Sequence, residues 1–122
     1  MYEGGFENGE KKGFGTAFDE DGLVSYRGDF DENQFVGLGR EYYSNQKTMY
    51  NGHWKNDKWD GFGTYYSDDC KIIYRGYYVN NHPHGKGIEY YKNEQVKYDG
   101  ERENGKWNGF GTKYFDTGVI FL

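Results

Sequence analysis

The sequence predicts an all-β protein: an elongated, single-layer, twisted sheet in which antiparallel strands follow one another as a meander of five tandem hairpins. The first observation is a period, because tyrosine recurs every 24 residues without an insertion, at Tyr2, Tyr26, Tyr50, Tyr74 and Tyr98. The second is glycine, which stands two residues after each of these tyrosines and again in a Gly-x-Gly triplet such as Gly61–Gly63. A fixed period between about 20 and 50 residues is typical of repeat arrays, in which each unit packs against its neighbours.

Each unit is predicted to be one β-hairpin. In the first unit Tyr2, Gly4 and Phe6 alternate with other residues, so on a strand they would share one face. Asn8-Gly9 tolerates positive φ and favours a tight turn, after which we expect the second strand from about residue 13 to residue 18. The turn pairs of the later units are Glu32-Asn33, Asn56-Asp57, Asn80-Asn81 and Asn104-Gly105. Only the Glu32 pair fits a tight turn poorly, and no helix is predicted.

The composition indicates how such an array would form a core. Hydrophobic residues make up only 34% of the chain, but it contains 14 Tyr, 9 Phe and 3 Trp residues. Burial is therefore expected to come from rings packed between units, and rings are expected to cover glycine backbone on the next strand. The whole chain, 1–122, is predicted to be one array with units at about 2–25, 26–49, 50–73, 74–97 and 98–122.

The repeated pattern resembles a known family. Tyr-x-Gly-x-aromatic, six variable positions, Gly-x-Gly and a further aromatic three residues later look like the MORN repeat, in five units that are strictly in phase. Arg102 departs from the pattern, since an aromatic stands at its position in the other four units. The turn glycine present at Gly22 and Gly118 is replaced by Gln46, Cys70 and Glu94. Pro83, the single proline, is expected in a turn, where no hydrogen-bond donor of the sheet is lost.

No catalytic residue, metal site or cofactor is predicted. His53 is interpreted as a surface contact, and His82 and His84 lack further ligands at a suitable spacing. Cys70 has no histidine predictably beside it. The Gly-x-Gly triplets lack the lysine and the following helix of a phosphate-binding loop. The chain is therefore expected not to be an enzyme.

Net charge and the lengths of the apolar segments restrict the remaining functions and locations. The net charge is −5 without a basic cluster, which disfavours nucleic acid and weighs against an anionic membrane surface. No apolar run reaches the roughly 20 residues that a membrane span needs, and residues 1–4 show no secretory signal. A cytoplasmic location is expected, and the family resemblance implies cytoskeleton- or membrane-associated sites.

The aromatic residues are the predicted partner-binding surface. Two sets contribute: rings of the repeated pattern at Tyr50, Trp54, Tyr74 and Tyr78, and a second column at Phe35, Trp59 and Trp107. Large rings near turns, with no fixed place in the pattern, are typical of interfaces. We therefore predict a structural, non-catalytic scaffold whose aromatic-lined groove binds a helix or an extended segment of another protein.

Alternatives remain open. The fourth unit carries four basic residues, Arg75, Lys86, Lys92 and Lys97, so a peripheral phospholipid-binding module is one of them. A regulatory accessory region of a larger enzyme complex is another, which the resemblance implies. The segment Val119, Ile120, Phe121 and Leu122 is apolar and is predicted to be an open edge strand that supports end-to-end self-association.

Overall fold

The computed structural model describes residues 1–115, which form a single antiparallel sheet of ten strands in chain order. The strands are β1 (Tyr2–Glu7), β2 (Glu10–Phe18), β3 (Val24–Asp31), β4 (Gln34–Tyr42), β5 (Thr48–Lys55), β6 (Lys58–Tyr66), β7 (Ile72–Val79), β8 (His82–Tyr90), β9 (Val96–Glu103) and β10 (Lys106–Lys113). The predicted meander of five hairpins is confirmed. In this part of the chain no helix has the length and apolar character to cross a membrane.

The turns have one geometry throughout, although their sequences vary. Glu32 and Asn33 both adopt positive φ, at 48° and 68°, as Asn56 and Asp57 do in the next unit. The Glu32 pair therefore forms the same tight turn, with a glutamate held in the left-handed region that this residue type rarely adopts. In the turns that connect one hairpin to the next, Gln46 and Glu94 have φ of 69° and 68°, close to the 81° of Gly22. The hairpin register forces these residues into the left-handed region, so replacing glycine there does not change the turn.

The second strand of each hairpin begins earlier than the sequence suggested. β2 begins at Glu10 rather than near residue 13, because the first glycine of each triplet forms a bulge inside the strand. Gly61 shows this at φ 103°, beside the register shift between β5 and β6. As a consequence Pro83 lies within β8, opposite Tyr78, and its predicted place in a turn is wrong.

Each repeat tyrosine lies over a pair of glycines on two adjacent strands. Gly52 and Gly63 are directly opposite in β5 and β6, and a β-carbon built on Gly63 would collide with the ring and hydroxyl of Tyr50. The Tyr50 hydroxyl donates a hydrogen bond to the carbonyl of His53 at 2.9 Å. Tyr50 is completely buried as a result. The predicted packing of rings on glycine backbone is confirmed.

The sheet has two faces of different character. The ring face carries the repeat tyrosines and the rings packed on them. The outer face carries the alternate residues, including the middle residue of each Gly-x-Gly triplet, and among these Phe14, Leu38 and Phe62 are exposed. Buried hydrophobic side chains of the described residues therefore belong to the ring face.

Candidate functional site

The second aromatic column packs directly on the repeat tyrosines. Phe35 stacks on Tyr26 with ring centroids 3.9 Å apart and an interplanar angle of 11°, and Trp59 stacks on Tyr50 at 4.4 Å and 5°. Trp107 stacks in the same way on Tyr98 at 4.8 Å and 9°. We call this row of the ring face the stacking column; its members are Lys11, Phe35, Trp59, Pro83 and Trp107. The rings predicted as a free partner surface thus have a packing role as well.

The remaining predicted rings form the buried layer beneath the column. Trp54 meets Tyr50 edge-on at 5.4 Å, and its Nε1 donates to the carbonyl of Gly39 at 3.0 Å. Tyr78 contacts Tyr74 edge-on at 5.5 Å and Tyr50 at the same distance. The structure therefore brings all of the predicted aromatic residues onto one face, with Tyr50, Trp54, Tyr74 and Tyr78 buried.

A hydrogen bond joins three of the stacking-column residues to the turn of the following unit. The backbone N–H of Phe35 donates to Oδ1 of Asp57 at 2.8 Å, and that of Trp59 donates to Oδ1 of Asn81 at 2.8 Å. Lys11 and Asn33 make the same contact at 2.9 Å. A reciprocal bond from the turn backbone, such as Asn81 N–H to the Trp59 carbonyl at 2.9 Å, completes a two-bond clamp between units.

The clamp is incomplete between the fourth and fifth units. Pro83 has no N–H to donate, and the turn position opposite it is Gly105, which has no side chain to accept. The reciprocal bond from the Gly105 N–H to the Pro83 carbonyl remains at 2.9 Å. This junction therefore keeps only the backbone half of the clamp.

The small prolyl ring also leaves a cleft in the stacking column. This cleft has a volume of about 300 Å3, and its lining includes Trp59, Tyr65, Tyr74, Pro83 and Arg102. Tyr74 is the repeat tyrosine of this unit, and its buried hydroxyl has no hydrogen-bond partner among the described residues. Burial raises the pKa of this hydroxyl, so it stays protonated at neutral pH.

Arg102 takes the place of a ring at one side of the cleft. Its guanidinium carbon lies 5.4 Å from the ring centroid of Tyr74 and 5.8 Å from that of Tyr98. The guanidinium pairs with Glu89 through Nη2 and donates from Nη1 to the Gly105 carbonyl at 2.7 Å. Its Nε is buried without a hydrogen-bond partner in the described part of the chain. A planar cation thus replaces the aromatic of the other units.

Two carboxylates of the ring face have contrasting surroundings. Glu41 accepts one hydrogen bond, from Nε1 of Trp59 at 3.0 Å, and burial raises the pKa of its carboxyl. Glu89 pairs with Arg102, and Nζ of Lys97 lies 3.5 Å from its carboxylate. The ring face therefore carries charge beside its rings, and the cluster next to the cleft has two cations, Arg102 and Lys97, and one carboxylate, Glu89.

The basic residues of the fourth unit do not converge. Arg75 and Lys86 lie on the outer face, where they line one shallow depression. Lys97 is on the ring face beside Glu89, and Lys92 is exposed in the turn between β8 and β9. The predicted edge-strand residues Val119, Ile120, Phe121 and Leu122 lie outside the described residues. Within those residues no group of three or more His, Cys, Asp or Glu side chains could hold a metal ion.

The sequence model of the MORN repeat matches five segments, residues 2–24, 26–48, 50–71, 74–96 and 98–120. The chain belongs to the MORN-repeat family. MORN repeats are generally associated with interaction with proteins or with membrane lipids. A search of curated proteins finds no match to this chain.

Sequence reasoning missed the clamp and the cleft of this MORN array. A signal was present, because a proline and a glycine replace the two clamp partners at the same junction, at Pro83 and Gly105. The partner of Arg102 was also missed. Glu89 lies on the adjacent strand, and nothing in a single repeat unit shows which residues of neighbouring strands meet on one face.

Proposed function

We propose that this MORN array is a non-catalytic interaction scaffold, and that its ring face binds a helix or an extended segment of another protein. The cleft beside Pro83 is the observation that carries the proposal. It lies between the stacked rings of Trp59 and Trp107, and it is apolar on the sides formed by Trp59, Tyr65 and Tyr74. Partner-binding sites are typically concave and aromatic, with a few polar groups that fix orientation.

The shape of the cleft indicates what enters it. In the neighbouring units the corresponding space is filled by the indoles of Trp59 and Trp107, which stack on their own tyrosines. A side chain of the partner, aromatic or long and aliphatic, would fill the space that Pro83 leaves. Filling it would recover part of the roughly 0.5–1.5 kcal/mol that an aromatic pair contributes.

Polar groups at the cleft indicate how the partner is oriented. The Nε of Arg102 and the hydroxyl of Tyr74 have no hydrogen-bond partner in the described structure. A buried donor without an acceptor is costly, by about 1–3 kcal/mol, so an accepting oxygen of the partner close to either group would add to affinity. The chemistry that fits is an apolar side chain next to a carbonyl or carboxylate.

The placement of the basic residues favours protein over lipid as the ligand. Arg75 and Lys86 face away from the cleft, and Lys97 is beside the carboxylate of Glu89. Peripheral lipid binding gains about 1 kcal/mol for each basic residue near an anionic leaflet, and only two of the four basic residues of the fourth unit share a face. A regulatory role within an enzyme complex, and a cytoplasmic location near cytoskeleton or membrane, stay predictions.

The experiment is a selection of displayed random peptides on the purified chain, followed by affinity measurement with the chain carrying Pro83→Trp. The substitution fills the cleft with the residue that the third and fifth units already carry, so the fold should be retained. We expect the selected peptides to contain an aromatic or long aliphatic residue, and the substitution to weaken their binding about tenfold or more.

The matched control is Lys92→Ala, which changes the exposed turn between β8 and β9, away from the cleft, and should leave peptide binding unchanged. Peptides that bind the Pro83→Trp chain as well as the native one would contradict the use of the cleft. Selection of no binding sequence, together with co-sedimentation of the chain with phosphatidylserine vesicles, would replace the protein ligand by lipid.

A further inference from the structure

The outer face carries a second surface, distinct from the ring face, that the proposed function leaves unused. Two neighbouring rungs of side chains cross the middle of the sheet perpendicular to the strands. In β3–β8 the first rung consists of Arg27, Arg40, Asn51, Thr64, Arg75 and Ile88. The second consists of Asp29, Leu38, His53, Phe62, Tyr77 and Lys86. We call these two rungs, together with Phe14 of β2, the outer stripe.

Large apolar side chains of the outer stripe are exposed. Phe14 is 62% exposed, Leu38 58%, Tyr77 51% and Phe62 44%. Phe62 and Tyr77 are directly opposite on β6 and β7 and meet edge-on at 5.4 Å. The middle residues of the first three Gly-x-Gly triplets, on β2, β4 and β6, repeat this exposure, so the apolar groups form a row that ends before Lys86 on β8. Such a row is typical of an interaction surface.

The arginines of the outer stripe form no ion pair with the described residues. Arg27 and Arg40 are directly opposite on β3 and β4, an arrangement of like charges that destabilises a sheet. Among the described residues no carboxylate oxygen lies within 4.0 Å of a guanidinium nitrogen of Arg27, Arg40 or Arg75. Asp29, the acidic member of the stripe, instead accepts the backbone N–H of Leu38 at 3.3 Å. An anionic partner would relieve this repulsion.

The charge of the outer stripe selects the partner's chemistry. Four cations, Arg27, Arg40, Arg75 and Lys86, stand against one carboxylate, Asp29, which leaves the stripe at +3 in a chain of −5. Outside the stripe the same face becomes acidic, at Glu3 and Glu7 on one side and at Asp99, Glu101 and Glu103 on the other. A flat anionic membrane would also lie against these acidic residues, which would repel it. In a second copy of the chain stacked centre to centre on this face, cations would lie opposite cations.

The spacing of the outer stripe fits an α-helix. Leu38 and Phe62 are two strands apart, which corresponds to about 9.6 Å at about 4.8 Å for each strand. A helix rises about 10.5 Å over seven residues, so one side chain in each heptad can meet one apolar residue in each hairpin. Arg40 and Arg75 are three strands apart on the parallel rung, within reach of acidic side chains that flank the apolar positions.

We propose that the outer stripe binds an acidic amphipathic helix of a partner protein, which lies across the strands along the long axis of the array. Leucine-like side chains of this helix pack on Phe14, Leu38 and Phe62, and its glutamates or aspartates pair with Arg27, Arg40 and Arg75. The array thereby becomes a two-sided scaffold with one ligand on each face.

The test uses a synthetic helical peptide of about 21 residues, or three heptads, with leucine at two positions of each heptad and glutamate beside them. Its matched twin carries lysine in place of glutamate. We expect the glutamate peptide to bind the full chain and the lysine peptide to bind at least about tenfold more weakly. Arg40→Glu combined with Arg75→Glu should weaken glutamate-peptide binding about tenfold or more, and Phe62→Ser should weaken it separately.

Tryptophan emission distinguishes the two faces, because Trp54, Trp59 and Trp107, the three tryptophans of the sequence, all lie on the ring face. Binding at the outer stripe should leave their emission unchanged, and Pro83→Trp should not alter the affinity. Absence of binding, equal binding of both peptides, or indifference to the arginine substitutions would overturn the proposal. Binding of phosphatidylserine vesicles that depends on the same arginines would overturn it in favour of a lipid surface.

Discussion

The third unit and the junction of the fourth and fifth units use the same backbone with different side chains. In the third unit Tyr50, Trp54 and Trp59 occupy all three ring positions. At the later junction Pro83 and Arg102 replace two of the rings. The strands nevertheless keep the same register, since Gly76 pairs with Gly87 just as Gly52 pairs with Gly63. The glycine pairs and the turns set the fold, and the ring positions are free to vary.

The third unit and the later junction therefore differ in how completely their side chains fill the ring face. The third unit fills its interior and completes its clamp to the next turn, through Trp59 and Asn81. The junction around Pro83 gives up the ring and one clamp bond, and the cleft results. A repeat array is stabilised by contacts between neighbouring units, so a weaker contact at one junction affects that junction most. The proposed partner site therefore lies at the junction whose clamp is incomplete.

The largest effect is expected from filling a glycine pair. In Gly63→Val the new side chain would collide with Tyr50, and overpacking of this kind should cost about 3 kcal/mol of unfolding free energy. Gly111→Val makes the equivalent collision with Tyr98, but β10 is exposed along its length, so local fraying should limit the loss to about 1 kcal/mol. Chemical denaturation followed by tryptophan fluorescence measures both. Equal losses would show that the end of the array is as tightly coupled as its middle.

The second prediction converts the fourth junction into a copy of the third. Pro83→Trp supplies both an indole and a backbone N–H, and Gly105→Asn supplies the acceptor, at a φ of 84° that asparagine tolerates. Together they should raise the unfolding free energy by about 2 kcal/mol, from one aromatic stack and one hydrogen bond. The clamp bond forms only when both changes are present, so a double-mutant cycle should show a coupling of about 1 kcal/mol. Strict additivity of the two changes would mean that the clamp does not form.

The regular part of this fold could be predicted from the sequence, because it depends on periodicity. Tyr50, Gly52 and Trp54 repeat at fixed spacing, and period-two alternation places them on one face of a strand. The bulge at Gly61 was harder to foresee, since glycine in a strand is equally consistent with a strand end. For the same reason Pro83 was assigned to a turn when it lies in β8.

The contacts of Arg102 and the composition of the outer stripe could not be predicted. They depend on which residues of neighbouring strands lie opposite each other once the register shifts are included. Arg102 and Glu89 are 13 residues apart and meet only through the pairing of β8 with β9. The outer stripe likewise arises from register, since Arg27 and Arg40 face each other in the hairpin of β3 and β4. A sequence read one repeat at a time shows that these residues deviate, but not what they contact.

The third prediction compares two tyrosines at equivalent positions. The Tyr50 hydroxyl donates to the His53 carbonyl at 2.9 Å, whereas the Tyr74 hydroxyl has no partner among the described residues. Tyr50→Phe should therefore lower the unfolding free energy by about 1 kcal/mol, and Tyr74→Phe should leave it nearly unchanged or raise it slightly. Denaturant titration of the two variants under one set of conditions provides the measurement. A larger loss for Tyr74→Phe would mean that its hydroxyl is hydrogen-bonded in solution.

The smallest expected change in unfolding free energy comes from substituting the carboxylates of the ring face, Glu41 and Glu89. Burial raises the pKa of Glu41, so its ionised form is less favourable in the folded chain than in the unfolded one. This penalty is fully present above the folded pKa and disappears as the pH falls below the unfolded value of about 4.3. Glu41→Gln keeps an acceptor for the Trp59 indole and should raise the unfolding free energy by about 0.5 kcal/mol near pH 7, with no gain at about pH 3.

Glu89→Gln is the matched control, and its effect should have the opposite sign. It removes the carboxylate that pairs with Arg102, whose side chain is only 11% exposed, and so leaves that cation without its anion. A loss of stability near neutral pH is expected, because removing one charge of a partly buried pair leaves the other charge desolvated and uncompensated. If both substitutions stabilise the chain, the guanidinium at position 102 is held by the rings of Tyr74 and Tyr98 and not by Glu89. Arg102 would then depend on its cation–π contacts and on its hydrogen bond to the Gly105 carbonyl.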